Sequence, residues 1–259
     1  MHWFDHETQL ATAEGVTHPL NFPYLLEPAE AGERAVILIH GFGSSPRELL
    51  CIGQQLQRQG ITAYGVRLPG HGTSPEDLAT RDMEDWFACC ERGFLNLAQS
   101  HPWVGCLGIS TGALLGAKLA LRQRPDRLAL LSPFLKLKHP LASFAGLLSL
   151  MIPYQENKAV AEDHPFHYRH RPLKGVWQIN RLRRQLRNQL AELTAPTLVL
   201  ASEGDAIIAR GTARDLYNRL GSTHKEYYAY ETNVPHALTS DSNPQREDVV
   251  ERCIRFLTG

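Results

Sequence analysis

The 259-residue sequence is defined first by what it does not contain. It has no net charge, because 27 Lys and Arg stand against 27 Asp and Glu. That balance gives no support for nucleic acid or an anionic membrane as the main partner. The first residues, Met1-His2-Trp3-Phe4-Asp5-His6-Glu7, hold neither a basic run nor an apolar core, so no secretory signal is visible there. The longest apolar stretch, Leu141 to Ile152, contains Ser143 and Ser149 and is too short to span a bilayer. These absences lead us to expect a cytoplasmic location and no stable membrane insertion. The five cysteines (Cys51, Cys89, Cys90, Cys106 and Cys253) are odd in number and show neither CxxC nor metal-ligand spacing. They are expected to be reduced and mostly buried thiols. There is no internal repeat or low-complexity tract. No GxGxxG or GxxxxGK(S/T) phosphate loop occurs either. Nothing in the sequence specifies an oligomeric state.

Short apolar runs alternate with longer amphipathic ones, which predicts βα units around a mostly parallel sheet. The runs are Val36 to Ile39, Thr62 to Val66, Val104 to Ile109, Leu128 to Leu131 and Thr197 to Ala201. Continuous apolar strands are expected where helices cover both faces of a sheet. A Tyr-rich run, Glu226 to Tyr230, is expected nearer the sheet edge. Helices are expected from Ser45-Pro46 to Gly60, from Met83 to Gln99, from Ser110 to Gln123 and from Gln245 to Leu257.

The segment 133–190 breaks this rhythm and reads as an insertion between two strands. It leaves 1–132 and 191–259 as one core. The insertion carries an apolar stretch with Leu141, Phe144, Leu147, Leu148, Met151 and Ile152, then a His/Pro/Arg-rich stretch, then a basic helix. Its ten Lys and Arg face only three Asp and Glu. Such asymmetry can mark an anion-facing surface. The spacing of Ile179, Leu182, Leu186 and Leu190 favours the plainer reading, a helix with a solvated basic face. His164, His167 and His170 are three apart, but Pro165 disfavours the regular helix that a metal site at that spacing would need. No metal is expected.

Gly108-Ile109-Ser110-Thr111-Gly112 reads as the end of a strand, a tight turn and the start of a helix. A serine on such a turn has its Oγ held clear of the backbone, provided its neighbours two residues away are small. Upstream, His40-Gly41-Phe42-Gly43 follows an apolar strand. Acyl transfer needs two backbone N–H donors aimed at the developing oxyanion. The candidates are Thr111, which follows the serine, and Phe42 in the early loop, with Gly41 allowing close approach. A serine nucleophile also needs a histidine base and a carboxylate that orients it. Asp205 follows the run Thr197 to Ala201, and Glu203 is its nearest competitor. His236 lies after the Tyr-rich run and before the last helix. Of the other histidines, His40 and His71 are expected to be structural.

Together, His40-Gly41-Phe42-Gly43, Arg67-Leu68-Pro69-Gly70-His71-Gly72, Asp85-Trp86, Gly108-Ile109-Ser110-Thr111-Gly112, Gly204-Asp205 and His236 resemble the bacterial carboxylesterase and monoacylglycerol lipase group of the α/β-hydrolase superfamily. The resemblance implies an α/β-hydrolase fold, a mostly parallel central sheet flanked by helices with a helical cap insertion. It implies Ser110 as nucleophile, His236 as base and then acid, and Asp205 as its orienter. Phe42 and Thr111 would form the oxyanion hole. The cap would cover an acyl pocket, with Gly41, Phe144, Leu148 and Met151 as substrate contacts. No cofactor is implied, and the expected partner is a small-molecule ester. Such esterases often carry Met or Leu after the serine, where this chain has Thr111. Thioester, amide and C–C hydrolysis, lyase chemistry and non-catalytic ligand binding are the alternatives on the same scaffold.

Overall fold

The computed structural model describes residues 2–30, 32–139, 144–157 and 164–259. Leu141 of the apolar stretch lies outside the described residues. The chain opens with helix α1 (Trp3–Ala13) and a short strand β1 (Tyr24–Leu26). There follow β2 (Arg34–Ile39), α2 (Leu50–Arg58), β3 (Thr62–Val66), α3 (Pro75–Thr80), α4 (Met83–Ala98), β4 (Trp103–Ile109), α5 (Thr111–Gln123) and β5 (Leu128–Leu131). Between β5 and the next core strand lie α6 (Ala145–Leu148), β6 (Tyr154–Glu156), β7 (His170–Pro172) and α7 (Leu173–Arg187). The chain ends with β8 (Thr197–Ser202), α8 (Thr212–Arg219), β9 (Lys225–Tyr230) and α9 (Arg246–Thr258).

Seven strands form one sheet in the order β1-β3-β2-β4-β5-β8-β9. Only β1 runs antiparallel to its neighbour; the other pairs are parallel. Side chains of a strand alternate between faces. Ala35, Ile37 and Ile39 of β2 therefore join one core cluster with residues of α4 and α5, while Val36 and Leu38 join another with α2 and α9. Both clusters are buried, which is why the strands read as continuous apolar runs. β9 is the edge strand expected from its Tyr-rich pattern, and its burial alternates from Lys225 to Ala229. The four expected helices are present, with one change at the first. There Pro46–Leu49 forms a 3-10 turn before α2 begins at Leu50.

The chain passes from β2 to β3 on one side and then returns to β4 on the other side of β2. The loops after β2 and β4 thus diverge at a switch point, where a crevice opens beyond the strands' carboxyl ends. Among its described residues, the segment between β5 and β8 adds no strand to this sheet; its own β6 and β7 pair antiparallel as a separate ribbon. Its helix α7 packs on α4 and α5 through Ile179, Leu182 and Leu186. All five cysteines are free thiols, four of them buried, and burial pushes the Cys89 thiol up to about 12.

Candidate active site

Ser110 stands between β4 and α5 with φ 55° and ψ −115°. A positive φ is costly for a residue with a Cβ, and such strain persists only where its surroundings impose it. Here the neighbours explain it. A Cβ on Gly108 would lie 2.2 Å from the Gly112 carbonyl oxygen, and one on Gly112 would lie 2.0 Å from the Ile39 carbonyl oxygen. Strand, turn and helix are packed too closely there for any other residue type. The Ser110 N–H donates to the Leu131 carbonyl (2.8 Å), tying the turn to β5.

His236 reaches Ser110 across the crevice, with its Nε2 2.8 Å from Ser110 Oγ. Its Nδ1 lies 2.5 Å from Asp205 Oδ2. Asp205 is buried, and its other oxygen accepts the N–H groups of Ile207 (2.8 Å) and Ile208 (3.0 Å). Those two bonds fix the carboxylate plane. Glu203, the competing acid, faces outward to Arg210 (3.0 Å). The loops bearing Asp205 and His236 are locked together. Ser202 Oγ donates to the Val234 carbonyl, and a Cβ on Gly204 would lie 1.9 Å from the Thr232 carbonyl oxygen. Ser132 Oγ in turn donates to the His236 carbonyl (2.7 Å).

Phe42 and Thr111 occupy the two loops that meet at Ser110. Among the described residues, neither of their N–H groups is taken by a protein acceptor. The loop before Phe42 is held from two directions. Glu48 Oε2 accepts the Gly41 N–H (2.7 Å), and His40 Nδ1 lies 2.8 Å from the Gly41 carbonyl oxygen. Leu68 N–H donates to His40 Nε2 (3.2 Å), so the ring proton sits on Nδ1 and is donated to Gly41. Burial pushes the His40 imidazole down to about 3, which keeps it in that neutral tautomer. His71 is likewise fully buried, with its ring against His40, Phe42 and Trp86. Both histidines are structural, as expected. Asp85 closes a capping box by accepting the Asp82 N–H (2.9 Å), and Trp86 Nε1 donates to the Pro69 carbonyl (3.1 Å).

The segment between β5 and β8 lies directly on the loop after β2. The Tyr168 N–H donates to the Gly43 carbonyl (2.8 Å). The Arg171 side chain lies over Gly43, and the Phe42 ring fills the space above Gly175 of α7. Neither Glu48 nor Arg171 stood out in the sequence. A lone Glu in a helix start and one Arg among ten basic residues carry no periodic signal. Of the predicted acyl contacts, Phe144 and Met151 are 60% and 85% exposed, and Leu148 is half-buried. Three of the segment's basic residues are engaged locally. Arg169 pairs with Glu156 (2.6 Å), Arg181 bonds Gln178, and Arg183 bonds the Leu135 carbonyl. No group of His, Cys, Asp and Glu suited to a metal ion occurs among the described residues.

A strained serine, a histidine bonded to it and a buried carboxylate behind the histidine can generate a nucleophile at neutral pH. The chain belongs to the Hydrolase_4 family, described as serine aminopeptidase S33, whose model matches residues 31–243. Its fold is that of the α/β-hydrolases. Among proteins of similar sequence is a carboxylesterase of Bacillus subtilis (strain 168), 24% identical over 233 residues, covering 88% of this chain and 94% of the relative. Another is a thermostable monoacylglycerol lipase of Bacillus sp. (strain H-257), 28% identical over 237 residues, covering 88% and 92%. Solved structures of similar fold include one of the metagenome-derived lipolytic enzymes LipS and LipT, with TM-score 0.83, 22% identity and coverage of 92% and 98%. The monoacylglycerol lipase of Paleococcus ferrophilus matches with TM-score 0.76, 19% identity and coverage of 91% and 97%.

Proposed function

We propose that the protein hydrolyses carboxylic esters, of short or medium acyl chains or of monoacylglycerols, through an acyl-enzyme on Ser110. The observation that carries this reading is the continuous chain of contacts from Asp205 through His236 to the Oγ of a serine in strained backbone. His236 takes the Ser110 proton as Oγ attacks the ester carbonyl. The tetrahedral oxyanion is held by the N–H groups of Phe42 and Thr111. Collapse expels the alcohol, which receives its proton from His236. Water then attacks the acyl-enzyme by the same route and releases the acid.

The segment 133–190 is assigned as a cap on a core of 1–132 and 191–259. Its contacts with Phe42 and Gly43 support that role. Phe144, Leu148 and Met151 are assigned as acyl contacts, since they offer apolar surface on the element that covers the oxyanion loop. No helix of the described residues is long and apolar enough to cross a membrane. A cytoplasmic enzyme that meets its ester in solution is the accompanying proposal.

A panel of aryl esters, monoacylglycerols, thioesters and aminoacyl amides of matched acyl length tests the reading. The amide arm matters because the family is described as a peptidase family. Esters are expected to turn over fastest, with Ser110→Ala lowering kcat about 10⁶-fold. Met151→Asp is expected to slow long-chain esters and spare acetates. Preferential amide turnover would reject the ester assignment.

A further inference from the structure

We propose that Glu48 is a positioning residue for the oxyanion donor, with Arg171 of the cap as the cation laid beside the same loop. The inference rests on the oxyanion role assigned above to Phe42. Gly41 is the residue that decides where the Phe42 N–H points, because the Gly41 carbonyl and the Phe42 N–H belong to one planar trans peptide and face opposite ways. His40 fixes the carbonyl end of that unit at 2.8 Å. Glu48 fixes the preceding N–H at 2.7 Å. Gly41 is thus clamped on both of its backbone polar groups, and the Phe42 N–H is left turned away from His40 with no protein acceptor among the described residues.

A carboxylate in this enclosed position needs a countercharge. Burial pushes the Glu48 carboxyl up, and its bond from Gly41 and the charges of His236 and Arg171 oppose that shift. Arg171 is the fitting partner in another respect. Its Nε is closed off from solvent and has no hydrogen-bond acceptor. No side-chain hydrogen bond or ion pair joins its guanidinium to another described residue; burial pushes the guanidinium down, and the Glu48 charge opposes that shift. The Arg171 chain lies across Gly43, two residues from Gly41. The other charged or titratable groups facing Glu48 are His236 behind the reaction centre and, across the adjoining cavity of about 540 Å³, Arg47, His164, His167, Asp241 and Arg246. Of these, Arg47 and Arg246 are already paired with Asp241. The cap thereby lays a buried cation on the oxyanion loop, beside the backbone hydrogen bond from Tyr168.

Two variants at Glu48 separate bond from charge. Glu48→Gln keeps an oxygen that can accept the Gly41 N–H; Glu48→Met does not. Glu48→Met is expected to lower kcat on a neutral aryl ester about 100-fold, the scale of a lost oxyanion donor, with KM within threefold. Glu48→Gln is expected to lose less than tenfold in kcat. Arg171→Met is expected to lower kcat in the wild-type background and to cost nothing further in Glu48→Gln, as coupled residues do. Thermal melts and stoichiometric phosphonate labelling establish that each variant is folded with a reactive serine. A folded, fully labelled Glu48→Met with kcat within threefold of wild type overturns the positioning role. A loss in Glu48→Gln as large as in Glu48→Met overturns the assignment of the effect to the accepted Gly41 N–H. An equal loss from Arg171→Met in both backgrounds overturns the link to the cap. Failure of Ser110 to be labelled in the wild type would reject the underlying assignment instead, so the two failures are distinguishable.

Discussion

At the scale of single residues, the site depends on which carboxylate stands behind His236. Asp205 is buried with both oxygens engaged, whereas Glu203 points to solvent and to Arg210. Replacing Asp205 by Asn removes the charge that stabilises the imidazolium and favours the wrong ring tautomer. Asp205→Asn is expected to lower kcat about 10⁴-fold. Glu203→Gln should leave kcat within a factor of two, since an exposed pair of this kind contributes little. Steady-state kinetics on one aryl ester checks both. If the two variants lost activity equally, the assignment of the orienting acid would be wrong. The candidate residues at this scale were legible because their order along the chain and their placement after strands are geometric requirements of the sheet. Glu48 was not legible. Its importance comes from an N–H seven residues away in sequence, and no pattern of residue types records that contact.

At the scale of elements, the sheet and its covering helices followed from apolar runs and their Gly and Pro boundaries. Each of the six expected strands is present, with ends shifted by at most two residues. The short elements escaped notice for physical reasons. β1 has three residues and holds an antiparallel edge position through its pairing with β3. The ribbon of β6 and β7 is equally short, and its polar sequence has no alternation to reveal it. α3 has six residues, and α1 is amphipathic but begins and ends without an apolar run on either side. The element that bears most directly on the site is α7. A Cβ on Gly175 would lie 2.3 Å from the Phe42 ring, which is itself hemmed in by His71 and Trp86. Gly175→Val should therefore displace either α7 or the Phe42 loop. The expected result is a loss of about tenfold or more in kcat/KM, the scale at which small misplacements act, while far-ultraviolet circular dichroism is retained. Unchanged kinetics would mean that α7 does not constrain the loop.

At the scale of the whole molecule, three imidazoles stand out because burial disfavours their charged form. His40 is pushed down to about 3, His167 to about 4, and His71 is lowered as well. In the unfolded chain each would titrate near 6.5. Between those values the unfolded state binds more protons than the folded one, so stability rises with pH. The contribution of these groups is present above about pH 6.5 and is lost as the pH falls toward 4. The melting temperature is expected to drop steadily over that interval, and His167→Asn should flatten part of the slope. A melting temperature constant from pH 7 to pH 4 would contradict the burial of these rings.

The central claim is that Ser110 is the nucleophile of an ester hydrolase. The most direct measurement is intact-mass and peptide-mass analysis after exposure to an aryl phosphonate, with residual ester turnover followed in the same samples. The account predicts one adduct per chain, located on the peptide containing Ser110, loss of turnover in proportion to labelling, and no adduct in Ser110→Ala. Stoichiometric labelling of Ser110→Ala, or a fully labelled wild type that still hydrolyses esters, would contradict it.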